Sequence, residues 1–258
     1  DLILWRHGQT DYNLQGRIQG RVDIPLNGTG REQARRAADS IAVLKPTRIV
    51  SSPLVRARAT AETLASLIGQ SVEVDSALAE KSFGDWEGLK ADDIKAQWPE
   101  HYATWRAGGD LPQFRIEGRR ETAERVGEAL KALVAGAGED DVVVAVSHGA
   151  ATNLGATYLL GMDPQQWFGL RGMSNCCYAL MRTNRRPPGW SVVSWNAGPP
   201  AKVFRKHHVP LCARWVPCAN ACPRQEPKGF PLVPRRLSVG RVEVPGTVFA
   251  LAVVARES

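Results

Sequence analysis

The stretch "LILWRHGQTDYN", residues 2–13, decides the fold class and carries the first functional residues. Leu2 to Trp5 are apolar and predict a short, fully buried strand that runs directly into Arg6 and His7. In open α/β sheets the carboxyl ends of the strands face the ligand crevice. Taken alone, an Arg-His pair is more typical of a strand that reaches the surface and becomes polar. Whether this pair belongs to a site therefore depends on the other strand ends.

The chain up to residue 198 alternates strand-like and helix-like segments. Strands are predicted at 48–50, 71–75 and 141–146, helices at 31–44, 53–68, 121–136 and 149–161, and a closing pair of strands within 175–181 and 190–195. Ser52 is expected to cap the helix that Pro53 begins. This alternation predicts an α/β domain built around a mostly parallel sheet.

Three apolar strands end in polar residues that suit one site. The ends are Arg6-His7, Ser51-Ser52 with Arg56 one turn later, and Ser147-His148. If these strands are parallel neighbours, their tips meet at one sheet edge. Arginine binds phosphate oxygens in a planar, bidentate manner, and a helix N-terminus adds N–H donors. We therefore predict a site for a dianion, because a buried histidine pair among arginines would be costly as packing alone.

Four segments in this order, "LWRHGQTDYN", "SSPLVRARATAE", "LAEKSFGDWEG" and "VSHG", resemble the histidine phosphatase superfamily in its phosphoglycerate-mutase-like branch, over positions 2 to 198. The resemblance implies a three-layer αβα sandwich and a phosphohistidine mechanism without metal or cofactor. His7 matches the nucleophile and Glu80 the proton donor. The residues that match phosphate-binding positions are Arg6, Asn13, Gln19, Arg56 and His148. Within the family, "RHGQTDYN" is similar to actinobacterial glucosyl-3-phosphoglycerate phosphatases.

The chemistry of these side chains supports the same roles. A neutral imidazole is a good nucleophile near pH 7, and cationic groups spread the charge of the phosphoryl group. A carboxyl group can protonate an alkoxide leaving group and then activate water. The predicted function is a metal-independent phosphomonoesterase acting on a small phosphorylated metabolite, a sugar or glycerate phosphate.

Two alternatives stay open at this point. One is a phosphoglycerate mutase-type phosphotransferase, although the 67 residues between Glu80 and His148 (positions 81–147) lack the long proline-rich insertion of the mutases. The other is a non-catalytic phosphate-binding module, which would need neither a nucleophile nor an acid.

Several residues depart from the family pattern or invite a second role. Arg119 and Arg120 stand where relatives often carry small residues, and they are either substrate contacts or solvated loop charges. Trp86 and Trp167 are expected in the core rather than in a substrate pocket. Cys176 and Cys177 are expected to be strand residues that pack on opposite sides.

The composition bounds the partners. Residues 1–198 contain 23 basic and 23 acidic residues, whereas residues 199–258 contain 10 and 3 and so supply the whole net charge of +7. We therefore expect no nucleic-acid partner for the body of the chain, and no run of apolar residues is long enough for a membrane span. Five cysteines without a disulfide pattern predict a reducing cytoplasm, and no secretory signal is expected. A homodimer is compatible with this interpretation.

Residues 199–258 form a separate predicted unit. They contain nine of the 17 prolines and three cysteines spaced C-x5-C-x3-C, without the tight C-x2-C pairs of zinc sites. We predict a disordered or non-native tail, with a composition typical of an out-of-frame segment of a GC-rich gene. The predicted catalytic domain is thus 1–198.

Overall fold

The computed structural model describes residues 1–198, so the predicted tail lies outside the described residues. The strands are β1 (Leu2–Arg6), β2 (Arg48–Ser51), β3 (Glu73–Val74), β4 (Val143–Ser147), β5 (Tyr178–Thr183) and β6 (Trp190–Ala197). The helices are α1 (Asp11–Gln15), α2 (Gly28–Ala42), α3 (Val55–Ile68), α4 (Ala91–Gln97), α5 (Pro99–Arg106), α6 (Arg119–Val134) and α7 (Gly149–Leu159). No helix among these residues is long and apolar enough to span a membrane.

The six strands form one sheet in the order β3-β2-β4-β1-β5-β6. The first four are mutually parallel, and β5 and β6 are antiparallel to their neighbours. The mostly parallel sheet is thereby confirmed. Arg6 of β1 lies opposite Ser147 of β4, so the histidines that follow these two residues emerge side by side from the same sheet edge.

The central strand β1 shows why the fold has three layers. Its side chains alternate between the two faces of the sheet, as the geometry of a strand requires. Ile3 and Trp5 are fully buried against α2 and α3, whereas Leu2 and Leu4 are buried against α6 and α7. The predicted αβα sandwich is therefore confirmed, with helices covering both faces of a sheet whose inner strands are mostly apolar.

The start of α3 differs from the prediction. The helix begins at Val55 with Leu54 at the N-cap position, and no side chain caps it. Ser52 instead follows directly after β2, and its hydroxyl lies 2.7 Å from Nε2 of His148. The N-cap prediction for Ser52 was wrong because the chain needs two more residues to turn from the strand into the helix, which leaves the serine at the sheet edge.

The adjacent cysteines also differ from the prediction. Cys176 lies in a turn before β5 with a φ of 57°, and only Tyr178 begins the strand. Cys176 is buried and Cys177 is half-buried, so both pack as expected, although they are not strand residues. Trp86 is fully buried in a small core beneath α4 and α5, as predicted, whereas Trp167 is only half-buried and belongs to no core cluster of the described residues, so its core prediction was wrong.

Two glycines allow the loop after β1 to approach helix α2. A Cβ on Gly8 would collide with the carbonyl of Gly30, and a Cβ on Gly30 would collide with the backbone of Gln9. Asn27 begins this helix by accepting the Gly30 N–H at 2.8 Å. This close backbone packing fixes the loop that carries His7.

Candidate active site

The carboxyl ends of β1, β2 and β4 bring the predicted phosphate-binding residues together. The rings of His7 and His148 have centroids 5.1 Å apart, and both side chains are buried. Arg6 is the last residue of β1 and directly precedes His7, and Arg56 lies in the first turn of α3. The site thus follows from the parallel order of the strands.

Of the two ring nitrogens of His7, Nδ1 forms a hydrogen bond with the backbone and Nε2 does not. Its Nδ1 lies 2.7 Å from the carbonyl oxygen of Gly8. A carbonyl can only accept, so Nδ1 carries the proton and Nε2 keeps the lone pair. Burial, followed by the charges of Arg56 and Arg6, holds the pKa of His7 well below its usual value. His7 is consequently a neutral imidazole at neutral pH, the form that can act as a nucleophile.

His148 is also neutral when the site holds no anion. Burial lowers its pKa well below the usual value, and the charge of Arg56 lowers the pKa further. Ser52 accepts the N–H of Leu54 at 3.3 Å, which favours donation of its hydroxyl proton to Nε2 of His148. The proton of His148 then lies on Nδ1, which is buried and has no hydrogen-bond partner among the described residues.

Both arginines are anchored by the backbone and keep an unpartnered nitrogen. Arg56 is fully buried and donates to the carbonyls of Val22 (2.8 Å) and Gly20 (2.7 Å). Arg6 donates to the carbonyl of Met173. Burial lowers the pKa of each, but a guanidinium remains charged at neutral pH.

Three buried nitrogens of the candidate site have no hydrogen-bond partner among the described residues. Nε of Arg6, Nε of Arg56 and Nδ1 of His148 are three of the five such side-chain atoms among the described residues. An unsatisfied buried donor is costly, and three of them around one imidazole need an acceptor. A phosphate dianion offers several acceptor oxygens and the opposite charge, so the arrangement fits this ligand.

Asn13 and Gln19 border the site on the loop around α1. Thr10 caps α1 and donates from its hydroxyl to Oε1 of Gln19 at 2.9 Å. Oδ1 of Asn13 accepts from the Thr10 N–H and from Nδ2 of Asn175, both at 3.1 Å. Because the amide oxygens are engaged within the protein, the NH2 groups are the donors that can meet an anion.

Glu80 lies at the N-terminus of α7, whose N-cap residue is His148. Its Oε1 accepts from the N–H groups of Lys81 (2.9 Å) and Ala151 (2.8 Å), and its Oε2 accepts from Ala150 at 3.2 Å. The first turn of α7 therefore binds the carboxylate of the predicted acid and directly follows the second histidine.

Some residues that support the site were missed by the sequence analysis. Asn175 also donates to the carbonyl of His7 at 3.1 Å, from 168 residues away along the chain. Arg21 donates to the carbonyl of Glu80 at 3.3 Å and pairs with Glu117, also at 3.3 Å. Burial alone would raise the pKa of Glu117, but hydrogen bonds from Arg125 and the Ser82 N–H outweigh it and lower the pKa. No local motif marks these residues, since each acts through a contact distant in sequence.

Arg119 and Arg120 have different surroundings. Arg120 is exposed and pairs with Asp163 at 3.1 Å, as expected for a solvated loop charge. The guanidinium of Arg119 lies 4.7 Å from the ring centroid of Phe168, and its Nε donates to the carbonyl of Pro164 at 2.8 Å.

Among residues 1–198 no group of three or more His, Cys, Asp or Glu side chains could hold a metal ion.

A neutral buried imidazole facing unpartnered cationic donors, at the strand tips of an αβα sandwich, defines an enzyme that handles phosphate groups. The family model of the histidine phosphatase superfamily, branch 1, matches residues 2–198, and the chain belongs to this family. The resemblance of the four motifs is thereby confirmed, and the protein is a phosphatase.

Similar proteins cover most of the chain. It is 35% identical over 211 residues to a glucosyl-3-phosphoglycerate phosphatase of Mycolicibacterium vanbaalenii, covering 76% of this chain and 94% of the relative. A solved mycobacterial glucosyl-3-phosphoglycerate phosphatase complexed with VO3 has a TM-score of 0.71 and 36% identity, over 76% of this chain and 98% of that one. A phosphoserine phosphatase of Entamoeba histolytica complexed with 3-phosphoglyceric acid has a TM-score of 0.66 and 28% identity, over 76% and 96%.

Proposed function

We propose that the protein is a metal-independent phosphomonoesterase that passes the phosphoryl group of its substrate through Nε2 of His7. The observation that carries this proposal is the set of unpartnered buried donors on Arg6, Arg56 and His148 around a neutral His7. Asn13 and Gln19 complete the proposed phosphate site from the α1 loop.

In the first step, the lone pair of His7 Nε2 attacks phosphorus while the bond from phosphorus to the ester oxygen breaks. The leaving alkoxide takes a proton from the carboxyl group of Glu80. The two arginines stabilise the charge on the three other phosphoryl oxygens. A phosphate dianion beside His148 favours its protonated form, so the site takes up a proton as the dianion binds.

In the second step, Glu80 is a carboxylate and removes a proton from water. The resulting hydroxide attacks phosphorus as the phosphorus–nitrogen bond breaks, and inorganic phosphate leaves. Glu80 and His7 thereby return to their starting states, so the cycle balances without a metal or a cofactor.

For the substrate we propose a sugar or glycerate phosphate, and the names of the relatives support this class. A reducing, cytoplasmic location is part of the proposal, because the adjacent Cys176 and Cys177 are both free thiols. The homodimer stays a prediction.

Hydrolysis is favoured over phosphoryl re-transfer. The segment between Glu80 and His148 folds into α4, α5, two short 3-10 turns, α6 and β4, without the long insertion expected of a mutase. Water can then reach the phosphohistidine. A binding module is disfavoured because binding alone requires neither a free Nε2 on His7 nor an acid beside it.

The test is His7→Ala, assayed against His101→Ala as a matched control outside the site. We expect His7→Ala to lose more than about 10³-fold in kcat and to form no phosphoenzyme, because no other group replaces the nucleophile. Rapid quench with labelled substrate should trap an acid-labile phosphohistidine in the wild type. Treatment with EDTA should leave the wild-type rate unchanged. Substantial turnover by His7→Ala would refute the proposal, and a loss in EDTA that Mg²⁺ or Zn²⁺ restores would refute the metal-free mechanism.

A further inference from the structure

A cavity of about 400 Å³ opens beside the proposed catalytic residues. Gly149 and Ala150, which follow His148, form part of its wall, and so does Lys81, which follows Glu80. Because the phosphate lies at His148 and the acid is Glu80, the cavity is where the alcohol part of the substrate must lie.

Lys81 contributes a buried ammonium group to this cavity. Lys81 is only 4% exposed, and its Nζ makes no hydrogen bond or ion pair with any residue of the described part of the chain. Nζ lies 5.9 Å from the ring centroid of Phe83. Burial lowers the pKa of Lys81 to about 8. An ammonium held in this way is costly for the fold unless it meets an anion.

The acidic groups that face Lys81 already have other partners. Asp110 accepts from the Arg119 N–H and from the Gln165 side chain, both at 2.9 Å. Glu117 is held by Arg125 and Arg21, and Glu80 by backbone N–H groups. None of these carboxylates lines the cavity.

Arg119 adds a second cation to the cavity wall. Its Nε is used by the Pro164 carbonyl, but its two terminal nitrogens have no hydrogen-bond partner in the region 1–198. Burial lowers its pKa, yet the guanidinium stays charged. Arg106 lies at the same cavity, so all the charged residues that line it are cationic.

We propose that Lys81 and Arg119 bind a second anionic group of the substrate, a carboxylate or a second phosphate, and so select phosphate esters of acidic alcohols over neutral ones. This inference rests on the proposed phosphatase activity and names the substrate class of the same site. It assigns a selectivity role to one of the two arginines that depart from the family pattern.

The test compares kcat/KM for matched substrates. 3-Phosphoglycerate and glycerol 3-phosphate differ in a carboxylate against a neutral hydroxymethyl group. Fructose 1,6-bisphosphate and fructose 1-phosphate test a second phosphate in the same way. We expect the wild type to prefer the acidic member of at least one pair. Lys81→Met and Arg119→Gln should each lower that preference roughly 10- to 100-fold, the range for lost hydrogen bonds to a charged group.

The control is Arg120→Gln, the neighbouring arginine that pairs with Asp163 outside the cavity. Its preference between paired substrates should equal that of the wild type. Folding of every variant is checked by thermal melting.

The pH profile gives a readout that needs no loss of the side chain. Lys81 is charged below its pKa of about 8 and neutral above it, so the preference should fall as pH rises through 8. Lys81→Arg, which stays charged, should retain the preference to higher pH. If Lys81→Met fails to fold, these two profiles decide the question.

The outcomes separate the two proposals. An enzyme that hydrolyses none of these esters would refute the proposed function. An enzyme that hydrolyses both members of each pair equally, or whose preference survives in Lys81→Met and Arg119→Gln, would refute the second anion site alone.

Discussion

Glu80 has a structural role as well as its proposed chemical one, and a substitution can distinguish them. Its two carboxylate oxygens accept three backbone N–H groups, two of them from the first turn of α7. A glutamine keeps the size of the side chain but replaces one acceptor oxygen with a donor. The lost hydrogen bond should lower the free energy of unfolding by about 1 kcal/mol.

The effect of Glu80→Gln on catalysis should depend on the leaving group. An alkyl phosphate needs a proton on its leaving oxygen, so its hydrolysis should slow by about 10²–10⁴-fold. p-Nitrophenolate leaves without a proton, so the first step should proceed and phosphohistidine should accumulate. Stopped-flow release of p-nitrophenol should then show a burst followed by slow turnover.

Glu87→Gln is the control for the structural role. Glu87 lies in the same loop and also accepts backbone N–H groups, from Phe83 of that loop at 2.9 Å and from the distant Arg21 at 3.0 Å. Glu87→Gln should lower the free energy of unfolding, should show no burst of p-nitrophenol, and should change the hydrolysis rates of both substrates by a similar factor. If Glu80→Gln slows hydrolysis of both substrates equally and shows no burst, Glu80 has only a structural role in the loop.

At the scale of single residues, the candidate site residues could be predicted from the sequence where they come directly after a strand. His7 and His148 each come directly after a strand that is apolar up to its last residue, and the edge where parallel strands end follows from the alternation pattern. The partners of these residues could not be predicted. Ser52 was assigned to a helix cap and Asn175 was missed, because the contact of each depends on how segments about 100 or more residues apart pack together.

At the scale of elements, the packing of the β1 loop on α2 can be tested with a pair of glycines. Gly28 and Gly30 both lie in the first turn of α2, but a Cβ on Gly28 meets nothing within 4 Å. Alanine is the better helix former at both positions. Gly30→Ala must in addition push against the backbone of Gln9.

We expect Gly30→Ala to be about 1–3 kcal/mol less stable than Gly28→Ala, because overpacking costs this much. It should also lower kcat/KM, since the displaced loop carries His7. Urea unfolding and steady-state assays of the two variants provide the measurement. Equal stability of the pair would mean that the loop yields without strain.

The helices and strands themselves could largely be predicted, because their apolar periodicity is local. The order of the strands could be predicted only in part. The residues of β1 specify a buried strand, but its neighbours β4 and β5 are chosen by packing against α6 and α7 as well as by pairing.

At the scale of the whole molecule, every proposed catalytic and binding residue lies within residues 1–198. A protein truncated after Gly198 should therefore keep its kcat/KM, with a Tm equal to or above that of the full chain. Parallel assays and thermal melts of the two proteins test this expectation. A truncated protein that folds but does not turn over would show that residues 199–258 contribute to the site.

The position of β1 in the sheet has a consequence for the order of events during synthesis. The proposed nucleophile, His7, directly follows β1, yet β1 lies between β4 and β5, which end at Ser147 and Thr183. At translation rates of about 5–20 residues per second, the first strand waits on the order of ten seconds or more for its neighbours. During that interval its apolar side chains have no sheet to join. A ribosome halted before β4 thus holds an exposed apolar strand and no complete site, and a chaperone that shields early apolar segments would find its target in the residues that later form the centre of the sheet.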